Sequence, residues 1–221
     1  MKKKGIVWIR EDLRIKDNPA LSFATLNHEI VSALFIYNPK LFDDRREAQK
    51  WWLCRSLESF KAELLNYNIN LEILIGDEIE IFKKFKVSQE ICVYSNKVYE
   101  PSQKDLEKKI GEHFKKEDIY FKFFKGNILI EYHEVKKDDG TPFKVFTPFW
   151  KNAEQRYLDK VPLKPTILKK TKKLELIFKN SINPKKILPK KNWYKKFEKY
   201  WSPTETEALK ITKEFIKKKI E

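Results

Sequence analysis

The sequence predicts an α/β fold: a five-stranded, doubly wound parallel sheet of Rossmann-like type, followed by an extended linker and one helix. Three observations carry that prediction. Short apolar runs of strand length alternate with segments of helical spacing, a pattern that calls for a parallel sheet with crossover helices. The runs are apolar almost throughout, as in strands covered on both faces. Charge collects at the carboxyl end of the first run, the edge where a doubly wound sheet opens its ligand crevice.

The first strand is Ile6-Val7-Trp8-Ile9, and the loop behind it carries Arg10, Glu11, Asp12, Arg14, Lys16 and Asp17. The chain enters a helix at Asp17-Asn18-Pro19. Asp17 or Asn18 can accept the orphan N–H bonds of the first turn, and Pro19 lacks the donor that would go unpaired there. The charged loop reads either as a salt-bridged turn, its two arginines pairing its two aspartates, or as part of a ligand crevice. Ile30 to Tyr37 is the second strand, ended by Asn38-Pro39. Glu47 to Asn66 has helical spacing, with Trp51, Leu53, Leu57, Phe60 and Leu64 recurring at three- and four-residue steps.

Leu71 to Ile75 is the third strand, stopped by Gly76-Asp77, and a short amphipathic helix follows at Glu78 to Phe85. Ile91 to Tyr94 is the fourth strand, Ser102 to Phe114 a helix with Ser102 as its cap, and Tyr120 to Phe124 the fifth strand. Past Gly126 the pattern loses regularity around an Asp138-Asp139-Gly140 turn, and Thr147-Pro148 is predicted to cap and start a helix from Phe149 to Leu158. Between Asp159 and Pro203 lie five of the ten prolines, spaced among lysines without a sustained period, which predicts a linker wrapping the domain surface. The organisation expected is an α/β domain over 1–158, a linker over 159–203 and a helix within 204–221.

Composition narrows the function classes. The net charge of +15 is uneven: residues 1–150 carry 26 Lys/Arg against 24 Asp/Glu, and residues 151–221 carry 21 against 8. The front is thus an ordinary acid–base balance, and the basic character belongs to the tail, which reads as a sequence-blind contact to nucleic acid or as a solvated linker. No run of eighteen apolar residues predicts a membrane span. Cys54 and Cys92 both sit in apolar patterns and read as buried inert thiols, consistent with a reducing cytoplasm. His28, His113 and His133 have no metal-ligand spacing, and no P-loop, G-x-S-x-G or G-x-G-x-x-G occurs.

The stretch W-I-R-E-D-L-R-I-K-D-N-P-A-L from Trp8 to Leu21 resembles the opening signature of the DNA photolyase and cryptochrome family, W-[FH]-R-x-D-L-R-x-x-D-N-x-A-L. V-F-T-P-F-W-K from Val145 to Lys151 resembles a second family element, and W-S-P-T-E-T-E-A-L from Trp201 to Leu209 a third, with Thr204 where the family has Gly. The resemblance implies the family's N-terminal α/β (antenna) domain, with the linker and first helix of an all-helical flavin domain. In the complete protein it implies a deoxyribodipyrimidine photolyase, a carbon–carbon lyase repairing cyclobutane pyrimidine dimers in DNA by light through FAD. The alternative is a non-catalytic cryptochrome-like or stand-alone chromophore- or nucleotide-binding module.

The family's flavin ligands lie past Glu221, so this chain is expected to hold no FAD and to be inactive alone, as a fragment, a split gene product or a free-standing domain. Its expected partners are the flavin domain and DNA, the latter also weakly through the Lys-rich tail. For a light-harvesting antenna chromophore, the resemblance points to Phe35, Ile36 and Tyr37 at a strand end with Lys50, Trp51 and Cys54 on the next helix. Trp51 is bulkier than its counterparts in deazaflavin-binding relatives. Ser102-Gln103 after Tyr99-Glu100-Pro101 stands where folate-binding relatives carry Asn-Glu. The bland reading of these positions is core and helix face.

Overall fold

The computed structural model describes residues 4–41, 47–86, 90–131, 133–158 and 165–219. Five parallel strands, β1 (Lys4–Ile9), β2 (Val31–Tyr37), β3 (Asn70–Ile75), β4 (Ile91–Asn96) and β5 (Tyr120–Phe124), lie in the order β3-β2-β1-β4-β5. This is the predicted doubly wound sheet, with its switch point between β1 and β4, where the strand order reverses.

The two faces of the sheet follow from the two-residue period of strand side chains. Val7, Ile9, Ala33, Phe35, Leu71 and Ile73 point to one side, where α1 (Pro19–Asn27) and α2 (Glu47–Leu65) cover them with Leu21, Ala24, Leu57, Phe60 and Leu64. Ile6, Trp8, Leu34, Ile36, Leu74 and Val93 point to the other, covered by α3 (Glu78–Phe82) and α4 (Pro101–Lys116) with Phe82, Ile110 and Phe114. Trp8 meets Phe82 edge-on at 4.9 Å, and Phe82 meets Phe114 at 5.3 Å, so rings fill most of the second layer.

Helix α1 starts at Pro19 as read, while α4 and α5 start earlier than the sequence reading. Asn18, not Asp17, caps α1: its side chain accepts from the Leu21 N–H, while Asp17 takes a left-handed backbone with φ of 50°. Helix α4 begins at Pro101, with Glu100 at the cap position and no side-chain cap bond, so Ser102 lies inside the first turn. A proline fixes φ for the first helical position, which sets the start one residue early. Helix α5 (Phe146–Leu158) likewise begins before Thr147-Pro148; a proline at the third position removes an N–H that has no intrahelical partner anyway. Helix α3 closes at Phe82, and Phe85 still packs beneath it.

The proline-rich stretch binds the domain closely. Asp159 to Lys164, with Pro162, lie outside the described residues. From residue 165 on the chain rounds the open edge of β3. Thr171 donates to the Tyr67 carbonyl, Lys173 bridges Ile30, and the N–H groups of Ile177 and Phe178 reach the buried Glu72 carboxylate on the α3/α4 side. The Ile73 N–H donates to the Ser181 hydroxyl and the Ile182 N–H to the Ile73 carbonyl. These bonds occupy the outward groups of an edge strand, which would otherwise template foreign strands. Two 3-10 segments, Pro184–Ile187 and Asn192–Lys199, then lie on the α2 side, and α6 (Glu205–Lys219) follows. Among the described residues no helix is long and apolar enough to cross a membrane.

Candidate functional site

The carboxyl edge of the sheet at the β1/β4 switch point is where polar side chains converge. Asn96 ends β4 there, where the apolar run Ile91-Cys92-Val93-Tyr94 gives way to the polar but still buried pair Ser95-Asn96. Its amide nitrogen donates to Asp12 (2.6 Å) and to the Asn18 carbonyl oxygen (2.9 Å), and its own oxygen accepts the Ala20 N–H (3.1 Å). Asp12 is buried and also accepts the Arg10 N–H at 3.1 Å. One amide therefore ties the charged loop, the cap of α1 and the end of β4 together.

The arginines do not pair with the aspartates of their own loop. Arg10 reaches Glu107 on α4 at 2.6 Å, with both side chains almost wholly buried, and donates to the Asn96 carbonyl. Its guanidinium lies 4.3 Å from the Trp8 ring centre, a cation–π contact, while its Nε and Nη1 atoms are buried without a partner. Arg14 instead gathers backbone oxygens, donating to Gly126 (2.6 Å) and Asp17 (3.2 Å), with Asn127 at 3.2 Å. Asp17 accepts from the Thr166 N–H at 3.1 Å. Glu205, the first residue of α6, accepts the N–H groups of Ile15 (2.6 Å) and Lys16 (2.9 Å), and the Lys16 side chain is exposed. The loop thus holds β4, α4, the segment after β5 and α6 at one edge.

Beside it, Glu131 accepts from Lys97 (2.8 Å) and from the Tyr99 hydroxyl (3.0 Å). Burial alone would raise the Glu131 carboxyl, but those two hydrogen bonds outweigh it and hold the group below its usual range. Burial and the Glu131 carboxylate push the Tyr99 hydroxyl well up. Asn96, Glu107 and Glu131 escaped the sequence reading. The signal for Asn96 was a polar pair closing an apolar strand, whereas a single glutamate on a polar helix or in an irregular segment gives none.

The residues suggested for an antenna pocket fall on both faces of the sheet. Phe35 and Tyr37 face α2, and Trp51 and Cys54 are buried on that helix, with Lys50 half-buried in its first turn. Ile36 lies on the opposite face: strand alternation sends it through the sheet into the cluster with Trp8 and Phe82. Trp51 packs edge-on against Trp52 and against Phe197 of the second 3-10 segment, at 6.1 and 5.5 Å. Burial and nearby Glu58 push the Cys54 thiol up to about 11, so it stays protonated at neutral pH. Among the described residues no three His, Cys, Asp or Glu come together to hold a metal.

Comparison with known proteins places this architecture. Residues 5–167 match the DNA photolyase family. The chain is 29% identical over 213 residues to the deoxyribodipyrimidine photo-lyase of Agrobacterium fabrum, covering 96% of this chain and 44% of that protein. It is 30% identical over 234 residues to cryptochrome-2 of Arabidopsis thaliana, covering all of this chain and 37% of that one. Among solved structures, a bacterial class III photolyase from Agrobacterium tumefaciens superposes with a TM-score of 0.84 at 28% identity, over 98% of this chain and 45% of its own. An archaeal photolyase from Sulfolobus tokodaii, solved with two FAD molecules, shares the fold at 19% identity and a TM-score of 0.64, over 83% of this chain and 40% of its own. The chain spans less than half the length of each of these proteins. With the sheet order, the signature loop and these matches together, the chain belongs to the DNA photolyase/cryptochrome family, of which it is an N-terminal α/β domain.

Proposed function

We propose that this chain serves as the N-terminal part of a deoxyribodipyrimidine photolyase, which joined to its flavin domain repairs cyclobutane pyrimidine dimers in DNA under light. The observation that carries this reading is the reach of the photolyase likeness: it covers 98% of the chain in space, beyond the sheet and through the C-terminal helices. FAD supplies the light-driven electron in the complete protein, and the chain's own part is scaffolding. Its signature loop fixes the edge of the sheet from which α6 departs, through Glu205 on the Ile15 and Lys16 N–H groups. The partners are the flavin domain and DNA, the latter also touched weakly by the lysine-rich tail.

A cryptochrome-like, non-catalytic role is the second reading, favoured by the 30% identity to a plant cryptochrome across the whole chain. Where a neighbouring reading frame encodes a flavin domain, co-expression of the two chains separates the readings. The repair reading expects a complex that carries FAD and removes dimers from irradiated oligonucleotides under blue light with a reductant. A flavin-loaded complex that leaves the dimers intact in light overturns it in favour of the second reading.

A further inference from the structure

A face formed by α2 and the segment ahead of α6 carries features that scaffolding does not use. The segment from Lys190 to Trp201, K-K-N-W-Y-K-K-F-E-K-Y-W, interleaves five lysines with five aromatic residues. In the structure its rings continue those of α2. Trp193 meets Phe197 at 5.3 Å, Phe197 meets Trp201 at 5.4 Å, and Trp201 meets Trp52 at 5.8 Å. The buried Trp51 supports the row from beneath, and Glu47 accepts the Trp193 indole N–H at 2.6 Å, so the rings are held in place. Their outer surfaces are nonetheless open: Trp193 is 37% exposed, Trp52 45%, Trp201 56% and Tyr200 80%.

Lysines predominate around this row, with Glu47 the acid against Trp193. Lys190, Lys191, Lys195, Lys196 and Lys199 are all exposed, and among the described residues none is held in a salt bridge. The acid within the segment, Glu198, is taken up by Arg55. Fixed aromatic faces with flanking ammonium groups match a chain of unpaired bases on a phosphate backbone. The lysines follow the phosphates, and the rings accept bases of any sequence because every base has a π-face. A duplex offers the same phosphates but keeps its bases stacked inside. Fixed rings also lose little freedom on binding.

We propose that this face is a stacking platform for single-stranded nucleic acid. It does not rest on the repair reading, since it uses neither a flavin nor a dimer. The test uses the purified 221-residue chain and labelled oligo-dT of about 12 nucleotides, within the span such platforms cover, against a duplex of equal length. The single strand should bind more tightly, quench tryptophan fluorescence, and weaken by up to about a hundredfold between roughly 50 and 200 mM salt if all five lysines engage. Trp201→Ala should weaken oligo-dT about 5- to 150-fold, the loss of stacking for one base, and leave duplex binding unchanged, while Trp201→Phe restores most of the affinity. A circular-dichroism melt of each variant verifies folding. Equal affinity for duplex and single strand, an undiminished Trp201→Ala, or no oligo-dT binding at low salt would each overturn the proposal; the last would leave these rings to a protein partner.

Discussion

Asp12 is a buried carboxylate whose neighbours are amides, and this decides how the signature loop responds to mutation. Its acceptor oxygens hold the Arg10 N–H and the Asn96 and Asn18 side chains. Asp12→Ala leaves those donors unsatisfied and should cost about 1.5–3 kcal/mol, read as a lower urea midpoint. Lys16→Ala, with its side chain in solvent, should stay within about 0.5 kcal/mol of the parent. In double-mutant cycles Asp12 should couple strongly to Asn96 and weakly to Arg14; the reverse ranking would contradict the amide-centred network. Glu131 gives a pH signature at the same scale. Its folded value lies below the ordinary 4.5, so its stabilisation is present above the unfolded value and is lost as pH falls through the folded one. Urea unfolding of Glu131→Gln should therefore fall short of the parent at neutral pH and approach it in acid. A constant gap across that range would remove Glu131 from the account.

At the scale of elements, the stretch from residue 165 to 203 completes the sheet. Glu72 is a charged side chain on a buried strand, and it makes sense through what it receives: the Ser32 hydroxyl and the N–H groups of Ile177 and Phe178. Glu72→Ala strands those groups, at about 1–3 kcal/mol for each one left buried and unpaired. The loss should appear first as faster hydrogen exchange and proteolysis between residues 170 and 185, ahead of global unfolding. Uniform protection in the variant would mean the stretch is held by Leu168, Ile187 and Phe178 packing alone.

At the scale of the whole molecule, α5 and α6 leave a set of apolar side chains open. Phe146, Phe149 and Trp150 on α5, and Ile211, Phe215 and Ile216 on α6, are all exposed. If the family's flavin ligands lie past Glu221, as the resemblance implies, the purified chain should retain no flavin through gel filtration after reconstitution, by its absorption spectrum. Stoichiometric retention would require a flavin site within these residues.

What the sequence determined by itself was the strand set, the parallel doubly wound sheet and the family. Continuous apolar runs, helical spacing and the Trp8 to Leu21 signature are local properties, readable without knowing which residues meet. The errors of one residue at α4 and three at α5 came from treating Ser102 and Thr147 as caps when a neighbouring proline and the free first-turn N–H groups allowed an earlier start. The tertiary structure alone decided the partners. It gave Asp12 to Asn96 across 84 positions and Arg10 to Glu107, and it sent Ile36 to the opposite side from Phe35 and Tyr37. Charge balance within a loop says that its groups can pair, but burial and strand order fix which ones come within hydrogen-bond reach. For the same reason a lysine-rich, proline-broken segment that reads as a linker becomes the cover of β3 and the seat of an aromatic row: those roles depend on where the sheet ends in space.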